Sequence, residues 1–191
     1  MSVVALIRHG ETCMAGRFCG QSDPELNAAG EREAMNIAER VSKLDIARIY
    51  SSDLRRASQT AKAIAQRTGV AVECLTGLRE IDFGQWEGLA WQEIEIQFPD
   101  EADLWLREFP LRSAPGGEAY TAFATRVETA ISGVLSKAAD RTIAVVTHRG
   151  VMRHALTKFF GFAEMEAWKA TADYGTTVIT ADPPYVCEVL P

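Results

Sequence analysis

Two stretches of this 191-residue chain close a buried-strand pattern in the same way, and that recurrence constrains the fold more than any other feature. Val3 to Ile7 is an apolar, β-branched run of strand length that stops at Arg8-His9-Gly10. Thr142 to Val146 repeats the pattern, ends in Thr147-His148-Arg149-Gly150 and leads into a helical pattern from Val151 to Phe160. In open α/β sheets, ligands are met at the carboxyl ends of strands, where following helices direct their N-termini. An imidazole held there beside a fixed positive charge suits a phosphate ligand.

The segments between carry the helices that cover such a sheet. Asn27 is placed to cap a helix from Ala28 to about Lys43, whose Ala34, Ile37, Ala38 and Val41 recur at helical spacing. Ala47 to Tyr50 reads as a second strand, Leu54 to Thr68 as a helix stopped by Gly69, and Ala71 to Cys74 as a third strand. Arg55 and Arg56 stand in the first turn of that helix, against its dipole, which costs stability unless an anion faces them. Leu78 to Gly88 has turn signals and no period. Two short helices, Trp91 to Phe98 and Glu101 to Phe109, are expected on either side of Pro99-Asp100, with a loop from Pro110 to Gly117. Trp91, Trp105 and Phe109 read as the small core of this insertion. The longest helix is expected from Ala119 to about Ala139, and a closing pair of strands, Thr176 to Thr180 and Val186 to Leu190, around Pro183-Pro184.

Composition narrows the function classes. A 47% hydrophobic and 24% charged chain of this length is a globular domain able to bury a full core. A formal charge of -6 argues against general nucleic-acid binding, which needs clustered Lys and Arg. No apolar stretch is long enough to span a bilayer and no signal-peptide pattern opens the chain, so a cytoplasmic location is expected. Four scattered cysteines and three histidines without ligand spacing indicate neither a disulfide framework nor a metal, and no cofactor is expected.

Four segments, taken in order, resemble the motifs of the histidine phosphatase (phosphoglycerate-mutase-like) superfamily. They are Arg8-His9-Gly10-Glu11-Thr12, Ser52-Asp53-Leu54-Arg55-Arg56-Ala57-Ser58-Gln59-Thr60-Ala61, Leu78-Arg79-Glu80 with Gly84-Gln85-Trp86-Glu87-Gly88, and Val146-Thr147-His148-Arg149-Gly150-Val151. The stretches Gly16 to Gly20, Asp23 to Gly30 and Ala114 to Glu118 look most like α-ribazole phosphatase and its near relatives. The resemblance implies one domain over 1–191: a three-layer α/β/α sandwich with a mostly parallel central sheet and a small helical insertion, about 81–117, over the active site. It implies a metal-independent phosphomonoesterase acting on a small-molecule phosphomonoester, in a monomer or homodimer.

Carried over by position, His9 resembles the nucleophile that becomes phosphohistidine, and Arg8 and Arg56 the arginines that hold phosphoryl oxygens, with His148 as their partner. Glu80 resembles the proton donor to the leaving oxygen. Arg56 is chosen over Arg55 because the family's arginine directly precedes the alanine of an Arg-Ala dipeptide. Gly10, Thr12, Arg17 and Arg149 are further candidates for substrate contact. The chemistry agrees: phosphate-monoester hydrolysis is very slow uncatalysed, and arginines can follow the equatorial oxygens into the transition state. The attacking imidazole must be neutral, which neighbouring arginines favour. A bell-shaped pH profile follows, falling in acid as His9 protonates and in alkali as Glu80 loses its proton.

Three features depart from the family pattern. The Asn that usually follows the first motif is absent from Cys13-Met14-Ala15, leaving Arg17 as a candidate substitute; Arg149 stands where Gly is usual; and Ala119 replaces a common Ser. The competing readings are a phosphoglycerate mutase-type isomerase and a non-catalytic phosphate-binding scaffold.

Overall fold

The computed structural model describes residues 3–138, 141–181 and 188–190. Its six-stranded sheet has the order β3-β2-β4-β1-β5-β6. Strands β1 (Val3–Arg8), β2 (Ile46–Ser51), β3 (Val72–Cys74) and β4 (Thr142–Thr147) run parallel. On the far side of β1, β5 (Thr177–Ala181) and β6 (Glu188–Leu190) pair antiparallel. Because β1 and β4 are central neighbours in register, with Arg8 opposite Thr147, the two strand-His-Gly motifs emerge side by side at one end of the sheet.

Both faces of the sheet are covered, and the period-two alternation of the strands divides the core. Val4, Leu6, Ile143 and Val145 pack under α5 (Tyr120–Leu135), α6 (Arg149–Phe159) and α7 (Glu164–Ala170). Their neighbours Ala5, Ile7, Ala144 and Val146 pack under α1 (Ala28–Val41) and α2 (Arg55–Thr68). Strands buried on both sides need the unbroken apolar runs the sequence shows. The layers are therefore α/β/α. A third cluster around Trp86, Ile94, Ala102 and Ala114 forms a separate small core with α3 (Trp91–Gln97) and α4 (Pro99–Glu108).

Asn27 caps α1 by accepting from the Ala29 and Gly30 N–H groups, and Gly69 ends α2 in the left-handed region at φ 75°. Other boundaries differ from the sequence expectation. Pro99 does not separate α3 from α4 but opens α4 at its first position, where its missing N–H costs nothing, leaving Phe98 alone between the two helices. The longest helix stops at Leu135, short of the expected end, and Ala139 lies outside the described residues. Helix α6 starts at Arg149, two residues early, which places Gly150 in its first turn. Seven-residue α7 was not foreseen, being too short to show a period. Pro183, Pro184, Val186 and Cys187 lie outside the described residues.

Candidate active site

The end of β1 delivers Arg8 and His9 to the floor of a cavity of about 710 Å³, which Thr12, Glu80 and Tyr174 also line. His9 Nδ1 lies 2.7 Å from the Gly10 carbonyl. A carbonyl only accepts, so Nδ1 carries the proton and the neutral ring presents a lone pair at Nε2. Burial, and after it the charge of Arg56, hold the His9 pKa well below its ordinary 6.5, so the ring stays unprotonated at neutral pH.

His148, at the end of β4, stands 5.0 Å from His9 between ring centroids, edge to face. Its tautomer is the opposite one. Arg56 Nε donates to His148 Nδ1 at 3.3 Å, which leaves the proton on Nε2, 2.9 Å from Ser52 Oγ. Burial and Arg56 again lower its pKa well below 6.5. Both ring nitrogens are thus engaged within the protein.

Arg56 is 1% exposed and lies beneath the floor. Its Nη atoms donate to the carbonyls of Ser22 at 2.6 Å and Gly20 at 2.7 Å, while the Glu87 carboxylate accepts from the N–H groups of Gly20, Gln21 and Ser22. The loop 19–22 is therefore gripped through its carbonyls by a cation and through its amides by an anion. Burial pushes the Glu87 carboxyl up, but these hydrogen bonds outweigh it and hold the pKa below its ordinary value. Neighbouring Arg55 points the other way, into an ion pair with Glu25, and its backbone N–H donates to Asp23 at 2.6 Å. The anions in front of the α2 N-terminus are thus the chain's own carboxylates.

Glu80 reaches the cavity from the irregular segment before the insertion. Its Oε2 accepts from Gly150 N–H at 2.9 Å and its Oε1 from Ile81 N–H at 3.1 Å. A Cβ on Gly150 would lie 2.3 Å from Glu80 Oε1, so the glycine is required for this approach. Arg126 fixes the Glu80 backbone, donating to the carbonyls of Arg79 at 2.6 Å and Glu80 at 2.9 Å while forked onto Glu118.

The structure thus brings Arg8, His9, Glu80, Thr12, Arg17 and Arg149 to one cavity and sets Gly10, Arg56 and His148 behind its lining. The Gly10 N–H is given to Thr60 Oγ1, and Gly10 packs where a Cβ would meet the Gly30 carbonyl at 2.4 Å. Arg56 and His148 are not among the residues that line the cavity, and their donors are held by protein partners. Arg17 lines the cavity with its guanidinium bound to Glu93 of α3 and to the Gly88 carbonyl in the loop before it, each at 2.7 Å.

Sequence reading missed Tyr174 and Ser52. The Arg8 guanidinium stacks 3.9 Å from the Tyr174 ring centroid while Nη1 donates to the carbonyls of Thr171 and Ala172 after α7. Among the described residues Arg8 Nε is buried without a hydrogen-bond partner. The Ser52 position falls inside the second motif, but only the fold shows that it meets His148. Trp91 and Trp105 serve both as insertion core and as cavity wall; Phe109, expected in that core, is exposed and packs on Trp105 at the wall, whereas Trp86 is wholly buried. His154, within α6, also lines the cavity, bonded to the Tyr120 hydroxyl at 3.0 Å. Among the described residues no three His, Cys, Asp or Glu side chains are grouped as metal ligands, and no helix is long and apolar enough to cross a membrane.

Comparison with known proteins agrees with this geometry. A protein 38% identical over 156 residues, phosphoglycerate mutase-like protein 4 of Arabidopsis thaliana, aligns with 78% of this chain and 67% of its own. Glucosyl-3-phosphoglycerate phosphatase of Mycobacterium tuberculosis is 33% identical over 159 residues, 78% of this chain and 71% of that one. Among solved structures, an Escherichia coli protein described as a putative alpha-ribazole-5'-P phosphatase superposes with a TM-score of 0.86 at 26% identity, over 99% of this chain and 95% of the other. The family model for the histidine phosphatase superfamily (branch 1) matches residues 4–183, and the chain belongs to that superfamily.

Proposed function

We propose that this protein hydrolyses phosphomonoesters through a phosphohistidine at His9, without a metal. The observation that carries the reading is the His9 ring itself: neutral, its Nδ1 proton committed to the Gly10 carbonyl, and its Nε2 lone pair at the floor of a cavity with Arg8 and Glu80. In the first step the Nε2–P bond forms as the ester P–O bond breaks, and the leaving oxygen takes a proton from Glu80. In the second, the Glu80 carboxylate takes a proton from water, whose oxygen attacks phosphorus as the N–P bond breaks and phosphate leaves. Arg8 supplies donors to the phosphoryl oxygens, and Arg56 adds charge from beneath. A scaffold would need neither the fixed tautomer nor a carboxyl braced by Arg126.

Phe18, Phe83, Trp91, Trp105 and Phe109 give the cavity an aromatic wall suited to a flat ring system. Among substrates named for relatives, α-ribazole 5′-phosphate carries such a ring and is our candidate. A panel of phosphomonoesters including it, assayed beside His9→Ala and with and without chelator, tests the reading. Release of phosphate that His9→Ala abolishes and chelator leaves unchanged supports it. Positional exchange of phosphoglycerates without phosphate release would instead make the protein a mutase.

A further inference from the structure

A different part of the cavity wall is cationic. Arg149 in the first turn of α6 and Arg153 one turn on both line the cavity, and each guanidinium carbon lies 4.3 Å from the ring centroid of Trp168 on α7. Like charges at this helical spacing repel, and a cation at a helix N-terminus opposes the dipole. The protein supplies little to offset this. Arg153 meets only Glu164, at 3.7 Å and with that carboxylate 75% exposed, and among the described residues Arg149 has no ion-pair partner. Among the described residues the Nε atoms of both arginines are buried without a hydrogen-bond partner. Two carboxylates act on Arg149 without bonding it: Glu80, which accepts from the Gly150 N–H and belongs to the catalytic floor, and Asp173.

Stacking on an indole uses the face of a guanidinium and leaves its N–H edges free to donate. It also holds two long side chains in place, so an incoming oxyanion need not order them. We propose that Arg149 and Arg153, held on Trp168, form a second oxyanion subsite that selects phosphomonoesters carrying another acidic group, a carboxylate or a second phosphate, beyond the ester to be cleaved. In naming substrates this rests on the phosphomonoesterase reading. α-Ribazole 5′-phosphate, with no second acid, uses the aromatic wall alone and stands outside the comparison.

Matched pairs differing only in the second acid test it: O-phosphoserine against phosphoethanolamine, 3-phosphoglycerate against glycerol 3-phosphate, and fructose 1,6-bisphosphate against fructose 6-phosphate. The first two pairs report a carboxylate and the third a phosphate. The kcat/KM ratio within at least one pair is expected to favour the acidic member by about tenfold or more, the scale of a hydrogen bond to a charged group. Arg149→Met and Arg153→Met should each move that ratio toward one, and Arg149→Lys, which keeps the charge but not the fork, should restore part of it. Glu164→Gln, a conservative change on the surface, should raise it. Calorimetric binding of the same pairs to His9→Ala gives the preference without turnover. A preference in binding that Arg149→Met removes, in a protein that hydrolyses nothing, would sink the hydrolytic reading and keep the subsite. Ratios near one in every pair, or ratios that the arginine variants leave unmoved, would overturn the subsite whether or not hydrolysis proceeds.

Discussion

At and beneath the cavity floor, the donors and acceptors of Arg56, His148 and Glu80 are engaged by the protein itself, whereas on the wall made by α6 and α7 two guanidinium groups rest on an indole with their buried Nε atoms unpaired among the described residues. The floor is preorganised around one ring nitrogen: Arg8, His9, Arg56 and His148 stand on strand ends and a helix start whose positions the sheet dictates, and Arg126 braces Glu80 on the irregular segment. The wall is assembled from short helices and loops that meet only after folding. Chemistry that must not vary is placed on the rigid part, and discrimination between substrates falls to the other.

If that contrast is right, changes to the floor should act on kcat and changes to the wall on the choice of substrate. The largest effect is expected from Arg8→Ala and Arg56→Ala, each lowering kcat by about a hundred- to a thousand-fold, as removal of one transition-state donor or charge does elsewhere. Steady-state kinetics in which only KM rose would break the distinction. Next is the dependence of stability on pH. His9 and His148 both have folded-state pKa values below the ordinary 6.5, so above that value neither weakens the fold. As pH falls below 6.5 the unfolded chain takes up protons the folded chain refuses, and stability should drop by up to about 1.4 kcal/mol per pH unit for each ring, until the folded pKa is passed. Denaturant titrations at several pH values would show the slope, and His9→Asn should halve it. The acid limb of the rate profile should correspondingly lie below pH 6.5.

A smaller effect is expected from Glu87→Gln. The amide cannot accept from every N–H of loop 19–22, so the grip opposite Arg56 loosens, at a cost of about 1–3 kcal/mol in stability, together with a loss in kcat. Thermal unfolding beside kinetics would measure both, and stability falling with kcat untouched would separate the loop from the floor. Smallest is Arg107→Ala, at an exposed i,i+4 pair with Asp103 outside the cavity, expected to shift stability by less than about 0.5 kcal/mol.

The same contrast explains what could be seen in the chain. His9 and His148 were legible because each follows a continuous apolar strand, and β1 and β4 then pair directly. The inward turn of Arg56 and the outward turn of Arg55 were implied by the family resemblance, whose arginine directly precedes the alanine of an Arg-Ala dipeptide. What sequence could not show are partners brought in from far along the chain and of unremarkable type: Tyr174 and the Thr171 carbonyl on Arg8, Ser52 on His148, Arg126 beneath Glu80. Nor could composition tell that Trp86 is core while Trp91 faces the cavity, since packing alone decides between identical side chains. Arg56 adds partners that no motif names: its donors reach the loop carbonyls of 19–22 and His148.

The claim on which the rest stands is that phosphorus passes through Nε2 of His9. Rapid quenching during turnover of an active phosphomonoester, followed by peptide mapping under alkaline conditions that preserve phosphohistidine, tests it directly. The account predicts phosphate on the His9 peptide, formed and lost at rates that match turnover. Phosphate carried by His148, or by no residue while product accumulates, would contradict it.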